Sequence, residues 1–240
     1  MSVASSRLTV TDFVGEAWWF ILSVLAIGWI CELIKRRNLR SKRKMIERNK
    51  LITREVTNIE NMELAKGIEG PTRRSYWVVE NRFAAGAYPG KKGHKDDRDN
   101  PEALRLLIDS GINVVVNLTQ DYPGGTDEHL SHYDAGAKGK ALIQRFPIVD
   151  VSIPTIDLMA EILDSINGHL AMGKNIYVHC WGGSGRTGTV VGCWLLESGL
   201  ATTFNVLETV QNLRIGDLDG GHKPSPQTRE QAEFILNWGA

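Results

Sequence analysis

Residues 175–196 read NIYVHCWGGSGRTGTVVGCWLL, and this stretch decides the fold. Asn175 to His179 is short and largely apolar, and it predicts a buried strand. Arg186 to Leu196 is an apolar run of helix length. Between them lie three glycines among the four residues Gly182 to Gly185, so the stretch predicts a strand, a tight loop and a helix. Ligands of parallel sheets bind at the carboxyl ends of strands, which is where this loop falls.

The loop has the composition of an anion site. Glycines let backbone N–H groups turn inward, and a ring of such groups at a helix N-terminus suits a tetrahedral dianion. Arg186, six residues after Cys180, can reach across the ring and bind two phosphate oxygens. The same environment favours the thiolate of Cys180, which could attack phosphorus in line and form a cysteinyl-phosphate. The predicted phosphate-binding residues are Trp181, Gly182, Gly183, Ser184, Gly185 and Arg186.

Two neighbours of the loop have predicted supporting roles. Thr187 could hydrogen-bond the sulfur of Cys180 and help it to leave in the second step. His179 is expected to fix the loop from behind and not to transfer a proton. A structural cysteine on a glycine-rich turn is the alternative interpretation.

These residues match the signature of the protein tyrosine and dual-specificity phosphatases, His-Cys-x-x-Gly-x-x-Arg-Ser/Thr-Gly, and the sequence is especially similar to bacterial-type dual-specificity phosphatases. The resemblance covers residues 75–238. It implies a general acid on a loop some thirty residues before the nucleophile, and Asp150 precedes Cys180 by thirty positions. A turn aspartate is the alternative role for Asp150, with Asp121 and Asp127 as substitutes.

Residues 225–231 (SPQTREQ) resemble the glutamine loop of the same family, whose amide orients the hydrolytic water. The resemblance implies this role for Gln227 or Gln231. The alternative is that both are simply polar residues in the first turn of a helix.

The rest of the chain after residue 71 predicts an α/β fold with a mostly parallel central sheet flanked by helices. Runs of strand length at Ile112–Leu118 and Ala141–Phe146 alternate with helical patterns. Thr155 is a predicted helix N-cap. Helices are predicted over residues 102–109, 155–172, 186–196, 203–214 and 227–238.

The N-terminal part predicts a membrane anchor. Residues 17–31 (AWWFILSVLAIGWIC) are apolar except for Ser23, and tryptophans lie toward both ends. Nine basic residues follow between Lys35 and Lys50, which predicts that this side stays cytoplasmic. The predicted divisions are a tail and transmembrane helix (1–34), a basic juxtamembrane helix and linker (35–70) and a phosphatase domain (71–240). An interfacial helix and a buried core helix are the alternatives for the span.

The composition limits the classes of partner and cofactor that this chain is expected to use. Lys plus Arg equals Asp plus Glu, 28 each, so nothing predicts a generally basic nucleic-acid-binding protein. Three cysteines without metal spacing predict reduced thiols, no structural zinc and no cofactor. The resemblance implies that relatives acting on inositol phosphates carry bases in this loop, and Trp181 to Gly185 contain none. A phosphorylated protein is therefore the expected substrate, with phosphotyrosine first and phosphoserine or phosphothreonine next. A phosphoinositide phosphatase and an inactive phosphate-binding adaptor are the alternatives, and the oligomeric state is left open.

Overall fold

The structure is a computed structural model that describes residues 62–90 and 101–238. The predicted transmembrane span and the basic stretch after it lie outside the described residues. Within the described residues, no helix has the length and apolar character needed to cross a bilayer.

Five strands form one sheet in the order β1-β2-β5-β3-β4. Strand β1 (Ser75–Val79) pairs with β2 (Phe83–Gly86) in antiparallel fashion. The other three strands, β3 (Val114–Asn117), β4 (Leu142–Arg145) and β5 (Ile176–His179), run parallel to β2 and to one another. The predicted mostly parallel sheet is therefore confirmed, with one antiparallel edge strand.

Helices cover both faces of this sheet. Four helices pack on one face: α3 (Ile156–Ala171), α4 (Arg186–Glu197), α5 (Val206–Leu213) and α6 (Arg229–Leu236). The other face is covered by α1 (Glu102–Asp109) and the short α2 (Asp134–Ala137). A 3-10 turn, Arg214–Gly216, follows α5 directly.

The central strands alternate between two cores because successive side chains of a strand point to opposite faces. In β5, Ile176 and Val178 belong to the core under α3 and α4, whereas Tyr177 belongs to the core under α1. In β3, Val115 takes the position that corresponds to Tyr177. Both strands are buried on both faces, as expected for a parallel sheet between helix layers.

The segment before β1 is part of the domain, although the sequence placed it in the linker. Leu64 forms a bridge with Val79, and Glu69 forms one with Tyr76. Ala65 is buried, and the N–H of Gly70 donates to the carbonyl of Gly216. Residues 62–70 thus pair with the sheet through their backbone, without an apolar run that would indicate a strand.

The register of the parallel strands brings their carboxyl ends to one edge. Asn117 lies opposite both His179 and Arg145, each the last residue of its strand. The segments that continue from these three residues contain Asp121, Cys180 and Asp150. The fold therefore gathers the predicted site residues at one end of the sheet.

Candidate active site

Cys180 begins the loop between β5 and α4. Its side chain is buried, and the N–H of Gly183 donates to its Sγ at 3.3 Å. Arg186, the first residue of α4, closes the loop. The sulfur thus lies beneath the N-terminus of a helix, where backbone N–H groups favour negative charge.

The carbonyls of the loop are held by groups from outside it. Three donors hold them: the N–H of Tyr88 to Trp181 O (3.2 Å), Nη2 of Arg74 to Gly182 O (3.2 Å), and Oγ of Ser225 to Ser184 O (2.7 Å). In a planar trans peptide the N–H points away from the carbonyl. The N–H groups of the residues after these carbonyls, Gly182, Gly183 and Gly185, are therefore turned inward, which is the arrangement of an oxyanion site.

Gly183 is required by both conformation and space. Its φ is +79°, a value that residues with a Cβ rarely adopt. A Cβ at this position would lie 2.5 Å from the carbonyl carbon of Gly86, so the loop packs directly on the end of β2.

The guanidinium of Arg186 is held by a buried carboxylate. Asp127 accepts from Nη1 at 2.7 Å and from Nη2 at 3.0 Å, and the carbonyl of Ile148 accepts from Nη1 at 2.9 Å. Burial lowers the pKa of Arg186, but the hydrogen bonds to Asp127 and the charges of Cys180, Asp127 and Asp150 outweigh it, so its pKa is raised. Burial alone would raise the pKa of Asp127, but the hydrogen bonds from Arg186 and from the N–H of Gln120 have the larger effect, so its pKa is lowered. Asp127 and Arg186 therefore both stay charged.

Three aspartates were candidates for the general acid, and the structure separates them. Asp150 Oδ1 lies 2.7 Å from Nη2 of Arg186, and its side chain is 42% exposed. Asp127 is buried in its bidentate pair with Arg186, which leaves it no freedom to reach a leaving group. Asp121 is buried too, and it binds Asn117 and Arg145 instead. Of these three aspartates, Asp150 alone both contacts Arg186 and is open to solvent.

His179 supports the loop from behind. Its Nδ1 lies 3.2 Å from the carbonyl of Cys180, and its Nε2 lies 2.6 Å from the hydroxyl of Tyr133. A carbonyl only accepts, so Nδ1 carries the proton and Tyr133 donates to Nε2. Burial lowers the pKa of His179 to about 3, so the ring is neutral at physiological pH. This geometry agrees with a positioning role.

The other predicted site residues differ in their burial and hydrogen bonding. Thr187 is fully buried, and its Oγ1 has no hydrogen-bond partner, so the expected bond to the sulfur is not formed in this structure. Gln231 is buried: its Oε1 accepts from the N–H groups of Gln227 and Thr228, and its Nε2 donates to Ser152 O. Gln227 is exposed. A methyl group on Gly185 would lie 3.0 Å from Oε1 of Gln227 and 3.1 Å from Nε2 of Gln231, so both amides reach the loop, and the amide of Gln227 is the exposed one.

Sequence reasoning missed the roles of Asp127 and Tyr133. Asp127 was considered only as a substitute acid, and Tyr133 was not considered. Both lie in a long segment, residues 118–141, that has no periodic pattern, so no sequence signal located them. Among the described residues no cluster of His, Cys, Asp and Glu could hold a metal ion.

The strand–loop–helix with Cys180 and Arg186, on this sheet order, is the arrangement found in cysteine-based phosphatases of the protein tyrosine and dual-specificity kind. A model of the family described as "Polymorphic toxin system, DSP-PTPase phosphatase" matches residues 90–200. Residues 90–200 of this chain are therefore similar to this phosphatase family.

Individual proteins are similar to parts of this chain. An uncharacterized protein of Methanocaldococcus jannaschii is 36% identical over 92 residues, which are 38% of this chain and 56% of that protein. A phosphatidylinositol 3,4,5-trisphosphate 3-phosphatase of Dictyostelium discoideum is 38% identical over 141 residues, 57% of this chain and 20% of that protein. The chain thus spans about half or less of the length of these relatives.

The fold is also that of a solved phosphatase structure. The crystal structure of a mutant form of Tk-PTP is 25% identical, with a TM-score of 0.51. The match covers 68% of this chain and 91% of that chain. Nearly all of that protein thus corresponds to part of this one.

Proposed function

We propose that this protein hydrolyses phosphomonoesters through a cysteinyl-phosphate intermediate. In the first step Cys180 attacks phosphorus, the S–P bond forms, the P–O bond breaks, and Asp150 gives its proton to the leaving oxygen. In the second step Asp150 takes a proton from water, whose oxygen attacks phosphorus while the Cys180 sulfur leaves. Gln227 orients this water, and the hydroxyl of Thr187, which has no partner in the present structure, donates to the thiolate as it departs.

The observation that carries the proposal is the contact of Asp150 with Arg186. Its carboxylate oxygen, 2.7 Å from Nη2, lies on the arginine that binds phosphate in this signature. A phosphate that accepts two hydrogen bonds from Arg186 replaces this contact, since Asp127 and Ile148 O already occupy the other donors of Nη1 and Nη2. Asp150 is then free beside the leaving-group oxygen.

We propose phosphotyrosine in proteins as the preferred substrate. No base occurs in the loop from Trp181 to Gly185, and the residues on either side of Asp150 are valines. Trp181, Val149 and Val151 are 45–49% exposed. This apolar rim fits an aromatic ring better than a polyanionic headgroup, because additional phosphates beside Val149 and Val151 would meet the carboxylate of Asp150.

A lipid phosphate is the second candidate. It is supported by the 38% identity to the Dictyostelium relative, whose name states a phosphoinositide activity. It is further supported by the predicted anchor, since the nine bases between Lys35 and Lys50 would hold the chain near anionic lipid. An inactive adaptor is less favoured because Cys180, Arg186 and Asp150 are all present.

The test is turnover by the full chain in detergent or nanodiscs. The substrates are a phosphotyrosyl peptide, the same peptide with phosphoserine, and vesicles that contain phosphatidylinositol phosphates. We expect the highest kcat/KM with phosphotyrosine and no turnover by Cys180→Ser, which should still bind vanadate. Higher kcat/KM on the vesicles would favour the lipid function, and activity in Cys180→Ser would refute the nucleophile.

We also propose that residues 17–34 anchor the protein in a membrane with the phosphatase domain on the cytoplasmic side. The support is the apolar run, its terminal tryptophans and the bases after it. Carbonate extraction of membranes tests the anchor, and protease protection of a C-terminal tag tests the orientation. Release of the full chain by carbonate would contradict the proposal.

A further inference from the structure

We infer that Thr126 positions the general acid. Its Oγ1 accepts from the backbone N–H of Asp150 at 3.1 Å. The inference rests on the proposed role of Asp150. Thr126 does not touch a reacting atom, so it is a positioning residue.

Thr126 belongs to a loop that is already fixed by its own hydrogen bonds. Gln120 Oε1 accepts from both the N–H and the hydroxyl of Thr126, at 3.3 and 3.2 Å, and Oδ2 of Asp127 is a second acceptor for this hydroxyl, at 3.3 Å. The N–H of Gln120 donates to Oδ2 of Asp127 at 2.9 Å, and the N–H of Asp127 donates to the carbonyl of Gln120 at 3.3 Å. Since its own proton is directed to acceptors within the loop, the hydroxyl oxygen is oriented to receive the N–H of Asp150.

Two adjacent residues therefore hold Arg186 and Asp150, the two groups that act together in the proposed reaction. Asp127 fixes the guanidinium of Arg186, and Thr126 fixes the backbone of Asp150. Because the two residues are consecutive, the position of the acid relative to the phosphate-binding arginine depends on one rigid piece of chain. Catalysis is sensitive to such placement, since an error of about 1 Å can be costly.

The acid segment needs such support because its backbone is strained. Val151, directly after Asp150, has a φ of +58°, which is unusual for a β-branched residue. Neighbouring contacts hold the segment on both sides: Ile148 O accepts from Arg186, and Ser152 O accepts from Gln231. At Asp150 itself, the bond to Thr126 restrains the backbone.

The experiment compares Thr126→Val, which removes the hydroxyl, with Thr126→Ser, which retains it. Values of kcat/KM are measured on aryl phosphates that range from nitrophenyl to unsubstituted phenyl phosphate. The poor leaving group depends most on the proton from Asp150. We expect Thr126→Val to lose about 3- to 10-fold on phenyl phosphate, the range of one hydrogen bond, and less than about twofold on nitrophenyl phosphate. Thr126→Ser should behave like the wild type.

A double-mutant comparison assigns the effect to Asp150. In an Asp150→Asn background, Thr126→Val should cause no further leaving-group-dependent loss. Thr209→Val is the matched control and should leave all rates unchanged, because this hydroxyl only donates to the carbonyl of Asn205 at the start of α5. Vanadate inhibition should be equal in wild type and Thr126→Val, because Asp127 loses the bond from Thr126 but keeps its bonds from the N–H of Gln120 and from both terminal nitrogens of Arg186.

Two negative results are distinguishable. If Asp150→Asn shows the leaving-group dependence and Thr126→Val does not, the positioning role is overturned while the proposed acid stands. If Asp150→Asn slows all substrates equally or not at all, the acid assignment itself fails. The inference would also be contradicted if Thr126→Val lowered kcat/KM as much in the Asp150→Asn background as in the wild type. The effect of Thr126 would then not depend on Asp150.

Discussion

Asp127 and Arg186 form a buried bidentate pair, with Nη1–Oδ2 and Nη2–Oδ1 distances of 2.7 and 3.0 Å. The side chains of both residues are at most 2% exposed. A planar guanidinium bound along one edge has a fixed orientation, so under the proposed function the edge that would receive phosphate is set before the ligand arrives.

Replacement of Asp127 by Asn should destabilise the protein, because it leaves the charge of Arg186 buried without its partner. We expect the free energy of unfolding to fall by about 3 kcal/mol and turnover to fall at least about tenfold. Thermal and urea unfolding measure the first effect, and steady-state kinetics measure the second. Glu128→Gln, an exposed neighbour that keeps its acceptor for the N–H of Gly124, is the control. Unchanged unfolding in Asp127→Asn would contradict the importance of the pair.

Thr187→Val should separate stability from activity. Its hydroxyl is buried without a partner, so its removal should leave the free energy of unfolding unchanged or raise it by about 1 kcal/mol. We expect the second chemical step to slow about tenfold, because the departing thiolate loses its donor. Stopped-flow kinetics with nitrophenyl phosphate would then show a burst of product. The absence of a burst, with normal turnover, would argue against a role for this hydroxyl.

The two glutamines should respond differently to alanine. Gln227→Ala removes an exposed amide beside Gly185, so we expect slower hydrolysis of the cysteinyl-phosphate with little change in stability. Gln231→Ala breaks three hydrogen bonds of a buried side chain, and the free energy of unfolding should fall by about 1–3 kcal/mol. Mass spectrometry of the trapped intermediate and thermal unfolding distinguish the two outcomes. Accumulation of the intermediate only in Gln231→Ala would reverse the assignment.

The neutral ring of His179 predicts a pH dependence of stability. Its pKa is about 3 in the folded protein and about 6.5 when unfolded, so below pH 6.5 the unfolded chain binds a proton that the folded chain does not. The contribution of His179 to the free energy of unfolding is complete above pH 6.5. It is lost as the pH falls toward 3, by at most about 1.4 kcal/mol per pH unit. Urea unfolding from about pH 7.5 to about pH 4 should show a smaller slope in His179→Gln. The exposed His222→Gln is the control, and equal slopes in wild type and His179→Gln would refute the prediction.

Local pattern was sufficient for most of the fold. The run NIYVH before a glycine loop and an apolar helix predicted β5 and α4 because periodicity and glycine content act within a few residues. Thr155 accepts from the N–H of Leu158 and caps α3 as predicted. Residues 62–70 were missed since their pairing to β1 depends on backbone contacts that leave no apolar pattern.

The candidate site was predictable only where its chemistry lies in one stretch of chain. Cys180, Arg186 and the glycines are contiguous, and Asp150 followed from the family resemblance. Asp127, Thr126 and Tyr133 act across 59, 24 and 46 residues of sequence, respectively. Their contacts depend on how an irregular loop closes on itself through Gln120, which no hydrophobic period encodes.

The pairing of residues 64 and 69 with β1 limits self-association of the domain. Strand β1 ends the sheet, and an uncovered outer strand offers free N–H and C=O groups to any other extended chain. The segment before it occupies part of that rim, so a shortened chain that began at Ser75 should self-associate. Sedimentation of the shortened and full domains would reveal the difference.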